Sequence, residues 1–381
     1  MPTYRVSVLG PRREAAAALE AVAALEAPEV VVRDLAQRAL GDGVITAAEL
    51  TGAPADPAAL RQRLGEALGP AASIVVASAP LRPARDDTYV ASVLAALVAP
   101  GALARVVRAM VGAGAAIEHV TLLTRQPVMG YEIEVRTSDP DALRRAMGAA
   151  AAADGLDVAL QRDVPARGSR RLVVMDADST LLQDEVIDRL AEICGRAAEV
   201  QAITRAAMAG ELDFAESLRR RVATLAGAPA SVLDEVRAVV SLTPGARTLV
   251  RTLQRLGHVP AVVSGGFVEV LAPLLAELGI EHYAANHLEI VEGHLTGRVV
   301  GEILDRAGKA AALRRFAAEL GIPLERTVAI GDGANDIDML VAAGLGVAFN
   351  AKPVVREHAD ATLSVPNLDA VLVFLGLRAE A

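Results

Sequence analysis

Asp176 and Asp178 stand one residue apart, directly after the apolar run VVM (173–175) and just before Ser179 and Thr180. Carboxylates this close oppose each other's ionisation and destabilise a buried site unless positive charge lies near them. Phosphate chemistry gives a reason to accept that cost. A carboxylate can attack phosphorus to form an acyl phosphate, splitting one difficult hydrolysis into two easier steps. A second carboxylate two residues on can protonate the leaving oxygen and later take a proton from the attacking water. Taken alone, the pair is a weak signal and reads more readily as an acidic turn after a strand.

Three other stretches carry groups that suit the same chemistry. In VVSGGF (262–267), Ser264 offers a hydroxyl, and Gly265 and Gly266 let the backbone approach an anion closely. By itself this is also an ordinary Gly-Gly turn. Lys309, in AGKAAALRRF, opens a helical pattern. The chain has thirty-six arginines and two lysines, Lys309 and Lys352, so lysine is expected where a compact ammonium is needed beside phosphate. In AIGDGANDIDML (329–340), Asp332, Asn335 and Asp336 follow an apolar run, and Gly331 and Gly333 permit a tight turn. Hard oxygen ligands of this kind suit Mg²⁺. A metal shared by Asp176 and Asp332 would offset the closeness of the carboxylates.

These groups need a scaffold that gathers strand ends. From about residue 170, candidate strands at 171–175, 259–264, 327–331 and 345–349 alternate with helices, which predicts a parallel sheet with function at its carboxyl ends. A helical insert at about 185–240 is too long for a simple crossover and suits a lid. Residues 287–301 read as a hairpin turning at Glu292 and Gly293.

The first 165 residues read as two units of the order β-α-β-β-α-β, beginning at Tyr4 and Tyr89. Unit one has strands at 4–10, 29–36, 43–50 and 73–79, with helices at 13–26 and 54–68. Unit two has strands at 89–98, 115–124, 130–137 and 156–163, with helices at 101–114 and 139–153. Asp56 with Pro57, and Asp139 with Pro140, read as N-caps followed by first-turn prolines. Connectors at 81–87 and 164–171 separate domains expected at 1–80, 86–165 and 170–381.

The totals exclude several classes. A net charge of −9 and 2% aromatic residues argue against nucleic-acid binding. No uninterrupted apolar run of membrane-spanning length occurs, and the N-terminal residues do not read as a signal peptide. The single cysteine, Cys194, leaves no disulfide framework, so a cytoplasmic protein is expected. The six histidines show no zinc spacing.

The four strand-end elements, in this order, resemble the haloacid dehalogenase superfamily. DADSTLLQDEVIDRLAE, GELDFAESLRRRV, VVSGGF, the hairpin, AGKAAAL and AIGDGANDIDML resemble its phosphoserine phosphatase family across residues 171–365. The duplicated units resemble ACT domains, ferredoxin-like modules that sense amino acids and pair edge to edge.

This resemblance implies an α/β fold: a Rossmann-like parallel sheet with a helical cap, preceded by two βαββαβ domains. It implies Mg²⁺-dependent hydrolysis of O-phospho-L-serine to L-serine and phosphate, the last step of serine synthesis. Asp176 would be the nucleophile and Asp178 the general acid/base, which also lends its backbone carbonyl to the metal. Ser264, Gly265 and Lys309 would bind the phosphoryl group. Asp332 would be a metal ligand, with Asn335 and Asp336 supporting the metal and its loop. In the cap, Glu185 would meet the substrate ammonium and Arg221 its carboxylate, with Met208 and Phe214 shutting out water. By spacing alone, Arg219 and Arg220 rival Arg221. A homodimer paired through the ACT-like units, and feedback by serine bound there, are further expectations.

Ala177 fills a position where the family commonly has a larger residue. The Pro-Gly of the ACT turn is matched by VAPGAL (98–103) but not by GPRREA (10–15), which puts effector binding by unit one in doubt. The rivals are a related phosphatase or phosphotransferase acting on another phosphomonoester or a phosphoprotein, and an amino-acid sensor whose phosphatase half is only scaffold.

Overall fold

The computed structural model describes residues 3–25, 30–40, 42–52, 56–79, 88–163 and 170–377. They form two compact units, residues 1–86 and 87–381. The connector expected at 81–87, Gly41 of the first turn and most of the connector at 164–171 lie outside the described residues.

The first unit contains β1 (Thr3–Pro11), α1 (Ala15–Ala23), β2 (Val30–Leu40), β3 (Gly43–Gly52), α2 (Pro57–Leu68) and β4 (Ser73–Ala79). Its antiparallel sheet has the order β2-β3-β1-β4. Alternation along β1 turns Val6 and Val8 onto Val22, Leu60 and Leu64, so one sheet face and two helices make the core. Asp56 caps α2 as expected, accepting from Ala58 N at 2.9 Å.

The second unit opens with the same order: β5 (Thr88–Ala95), α3 (Pro100–Gly112), β6 (Ala116–Thr124), β7 (Met129–Arg136), α4 (Pro140–Ala152) and β8 (Asp157–Arg162). The strand expected over 89–98 stops at Ala95, before the proline that starts α3. The chain continues as β9 (Leu172–Met175), the cap helices α5 (Val186–Ile193), α6 (Ala197–Met208), α7 (Phe214–Ala223) and α8 (Val232–Val239), then α9 (Ala246–Arg255). After these come β10 (Val259–Phe267), α10 (Val268–Leu278), β11 (His282–Val291), β12 (His294–Val300), α11 (Arg306–Glu319), β13 (Thr327–Gly331) and α12 (Ile337–Ala342). β14 (Leu345–Phe349), α13 (Pro353–Arg356), β15 (Ala361–Leu363) and α14 (Val371–Phe374) complete it.

Eleven strands make one sheet in the order β12-β11-β10-β9-β13-β14-β15-β8-β5-β7-β6. β9, β13 and β14 are buried along their whole length, which is why they read as continuous apolar runs: a parallel sheet covered on both faces has no wet side. The short β15 was not anticipated. It joins β14 in parallel and β8 antiparallel, carrying the sheet across from the phosphatase-like part to the second βαββαβ module. Side chains fix the junction. Asp157 accepts from Ser364 N at 2.7 Å, and Gln161 donates to the Phe374 carbonyl at 2.6 Å. Gly130 leaves room for Val373, since a Cβ there would lie 2.7 Å from that side chain. Among the described residues, no helix is long and apolar enough to cross a membrane.

Candidate active site

β9 lies between β10 and β13, with Met175 opposite Val262 on one side and Ile330 on the other. The chain leaving it therefore emerges where three strand ends meet. Asp176 N donates to the Ile330 carbonyl at 2.9 Å. The backbone then closes a tight turn over Ala177–Leu181, in which Leu181 N donates to Asp176 O and Leu182 N to Ala177 O. Ser179 takes the left-handed conformation (φ 55°), uncommon for a residue with a Cβ. Ala177 is fully buried, and its N–H donates to Asp176 Oδ1 at 2.7 Å.

Lys309 enters from the first turn of α11, which Asp305 caps by accepting from Gly308 N at 2.8 Å. Its ammonium is wholly buried, 2.9 Å from Asp176 Oδ1 and 2.7 Å from Asp336 Oδ1. Asp336 Oδ2 accepts from Gly333 N at 3.0 Å. Gly331 makes that approach possible, because a Cβ there would lie 2.5 Å from the Asp336 carboxyl group. Burial opposes the charge on Lys309, but Asp176 and Asp336 outweigh it and hold its pKa above the ordinary value. Burial and the Asp336 charge push Asp176 up, against the pull of Lys309.

Asp332 is raised to about 6 by burial and by Asp336, although the Thr180 hydroxyl donates to its Oδ1 at 3.0 Å. Asp178 is raised to about 7 by burial and by the Glu185 charge, partly offset by Val186 N donating to its Oδ1 at 2.8 Å. Carboxylate oxygens of Asp176, Asp332 and Asp336 lie within 4.8 Å of one another. Three hard anionic donors facing a single ammonium fit a divalent cation that prefers oxygen. Asp336 already gives both oxygens to Lys309 and Gly333, so Asp176 and Asp332 are the freer donors. The carboxylate of Asp178 is outside this cluster: Oδ1 faces Val186 N, and Oδ2 accepts from Ser264 Oγ at 3.4 Å.

Above the strand ends is a cavity of about 510 Å³. Asp176, Asp178, Asp332, Asn335 and Gly265 line its floor, and Glu185, Phe214 and Arg221 come from the cap side. Phe214 closes directly over Gly265, where a Cβ would lie 3.1 Å from the ring. Ser264 is buried beneath, its Oγ accepting from Gly266 N at 2.8 Å. Glu185 precedes α5 and accepts from Ser179 Oγ at 3.0 Å.

On α7, Arg219 and Arg220 are exposed, and Arg220 pairs with Glu216 at 2.7 Å. Only Arg221 of the three lines the cavity. Among the described residues its Nε is buried without a partner, as is Thr204 Oγ1 on α6. Burial lowers the Arg221 pKa, with Glu185 and Asp188 opposing the shift. The side chain of Met208 lies outside the described residues.

Three residues of the site were not anticipated. Thr180 sits in the quoted DADST, but nothing in its position alone signals a bond to Asp332. Thr204 carries no sequence signal. Asn286, buried midway along β11, donates to Gly265 O and accepts from Leu304 N, both at 2.8 Å. Its strand, HYAANHLEIV, already mixes polar and apolar residues, so Asn286 gave no cue of its own.

The description of the haloacid dehalogenase-like hydrolases matches residues 173–341, which hold every strand end just described, and that of the ACT domain matches 87–161. The catalytic half is thus a hydrolase of the haloacid dehalogenase-like class. A phosphoserine phosphatase of Streptomyces coelicolor is 47% identical over 384 residues, covering 100% of this chain and 93% of that one. Phosphoserine phosphatase SerB2 of Mycobacterium tuberculosis is 52% identical over 297 residues, covering 77% of this chain and 72% of that one. A solved phospho-aspartyl intermediate analogue of phosphoserine phosphatase is 41% identical with a TM-score of 0.51, covering 54% of this chain and 98% of that chain. The chain belongs to the phosphoserine phosphatase family.

Proposed function

We propose that this enzyme hydrolyses O-phospho-L-serine to L-serine and phosphate, as the last step of serine synthesis. The observation that carries the substrate assignment is the polarity of the cavity: a buried, unpartnered Arg221 Nε and the Glu185 carboxylate at one end, and a lysine-held aspartate at the other. A zwitterionic amino acid esterified with phosphate needs one cation, one anion and a phosphoryl site, placed apart.

In the first step Asp176 attacks phosphorus, the bond to the serine oxygen breaks, and Asp178 gives that oxygen a proton. A carboxyl group near 7 is protonated often enough to do so. In the second, Asp178 takes a proton from water, whose oxygen attacks the phosphorus of the aspartyl phosphate and frees Asp176. Lys309 holds Asp176 in place through both steps. Ser264 and the Gly265 N–H are assigned to the phosphoryl oxygens, and Phe214 and Met208 to keeping bulk water out. Mg²⁺, held by Asp176, Asp332 and the Asp178 backbone carbonyl with Asn335 and Asp336 in support, would neutralise charge on the phosphoryl oxygens.

The domains we infer are 1–80, 86–165 and 170–381, with the cap at about 185–240. An amino-acid effector at the ACT-type modules, serine being the first choice, and pairing of two chains through them follow from the same reading. The single cysteine suits a reducing compartment such as the cytoplasm.

The deciding experiment is phosphate release from O-phospho-L-serine by metal-stripped protein, with and without added Mg²⁺. Rapid Mg²⁺-dependent turnover is expected. Turnover of other small phosphomonoesters but not of O-phospho-L-serine would keep the chemistry and overturn the substrate. Inactivity on every ester would leave the sensor reading.

A further inference from the structure

Of the two lysines in this arginine-rich chain, Lys309 is accounted for by its two carboxylates. Lys352 has no part in the reaction above, yet it lines the same cavity. It follows β14, which runs parallel beside β13 with Ala348 opposite Gly331, so the turn after it leaves the sheet next to the Asp332 loop.

That turn is pinned. Asn350 takes a left-handed conformation (φ 45°) and donates its N–H to Leu363 O at 2.8 Å. Arg356 Nε donates to Ala351 O at 2.7 Å, and Val355 N to Lys352 O at 3.0 Å. Ala351 and Val355 are buried on either side. The side chain of Lys352 is exposed, and no ion pair to it is found among the described residues. A fixed backbone thus carries an uncommitted ammonium at the cavity wall.

The charges around it give that ammonium a use. Among the described residues, three basic ones line the cavity: Arg221, Arg306 and Lys352. Arg306 is held by Asp338 through contacts of 2.7 and 2.5 Å. Arg221 belongs to the cap end, beside Glu185. At the floor, Asp176, Asp332 and Asp336 outnumber Lys309 by two charges, which one divalent cation would balance. A phosphoryl dianion reaching that floor finds no surplus positive charge, and Lys352 is the remaining cation able to supply it.

The geometry points to Lys352 as a phosphoryl-binding residue that draws the phosphoryl dianion into the cavity and holds its outward oxygens. A compact ammonium on a long stem suits this work, attracting phosphate as a point charge without the two-pronged grip of arginine. The inference rests on the reading that the cavity takes a phosphomonoester.

The test uses the full chain with Lys352→Met and Lys352→Arg. Inorganic phosphate binding is measured by equilibrium dialysis in Mg²⁺, and O-phospho-L-serine kinetics are measured from about 0.02 to about 0.5 M salt. Lys352→Met is expected to weaken phosphate binding and raise KM about tenfold at low salt, with kcat within about twofold and the difference shrinking as salt rises. Lys352→Arg is expected to restore most of the phosphate affinity. Equal phosphate affinity and salt dependence in wild type and Lys352→Met would overturn the assignment. So would a fall in kcat with phosphate affinity unchanged, because that is a structural effect. If wild type fails to hydrolyse O-phospho-L-serine, the substrate reading falls alone, and the dialysis still decides Lys352.

Discussion

At the floor of the cavity Asp176, Lys309 and Asp336 are buried and hold one another at 2.7–2.9 Å, while at the cap end Arg221 Nε and Thr204 Oγ1 are buried with no partner. The floor is thus organised before any ligand arrives, as groups that must stabilise developing charge need to be. The cap end is incomplete by itself. A buried donor without an acceptor costs about 1–3 kcal/mol, which a ligand carboxylate would relieve. On the proposed reading, one end serves the chemistry common to many phosphate esters, and the other chooses among them. Substitutions at the two ends should therefore fail in different ways.

The largest effect is expected from Asp176→Asn, which keeps the shape of the floor and removes the proposed nucleophile. Turnover should fall about 10⁴-fold or more with little loss of melting temperature. Steady-state phosphate release checks this, and activity above a hundredth of wild type would move the nucleophile elsewhere. Next is Lys309→Met. It leaves Asp176 and Asp336 facing each other without a counter-charge, and breaking a buried pair from one side costs about 3–5 kcal/mol. Urea unfolding should show a loss of that size. Adding Asp336→Leu to Lys309→Met should recover part of the stability while activity stays absent, separating the structural share of the floor from its catalytic share.

At the cap end, Arg221→Met should raise KM for O-phospho-L-serine about 10²-fold, with stability unchanged or slightly increased because an unpaired donor is removed. Phosphoethanolamine, which lacks the carboxylate, should be hydrolysed equally by variant and wild type. Alanine at Arg219 or Arg220 should change neither substrate by more than about twofold. A loss on both substrates at Arg221 would erase the contrast between the two ends.

The same contrast governs what could be read from the sequence. Floor residues follow apolar strands in short motifs, so Asp176, Ser264 and Asp332 were legible as strand-end chemistry, and Lys309 stood out because lysine is so rare here. Cap residues sit on amphipathic helices where a charge facing a cavity looks like a charge facing water. Glu185 and Arg221 were chosen by resemblance, and the three consecutive arginines were separable only once α7 had an orientation. Tertiary partners were invisible. Thr180 bonds Asp332 across 152 residues, and Asn286 props up Gly265 from a neighbouring strand. Nor could the three residues of β15 announce that they join the catalytic sheet to β8, since so short a strand has no period to detect.

The pH dependence of stability also belongs to one end only. Asp178 and Asp332 sit at about 7 and about 6 in the folded protein, whereas an unfolded aspartate ionises near about 3.9. Below that value both states are protonated and the two groups favour neither. Between about 4 and 7 the folded protein binds more protons than the unfolded chain, so raising the pH removes stability, and the loss levels off above the folded values. Metal-free protein should therefore lose stability, on the order of 4 kcal/mol, from pH 5 to pH 8. Mg²⁺ binds the deprotonated carboxylates, so its stabilisation should grow over the same interval and flatten or reverse the slope. Thermal melts at pH 5, 6, 7 and 8, in chelator and in Mg²⁺, measure both. Asp332→Asn should shrink the slope in chelator. Arg221→Met should leave most of it standing, because the arginine itself does not titrate in this range. A slope that vanished with Arg221 instead would mean that the cap, and not the floor, sets the protonation of the site.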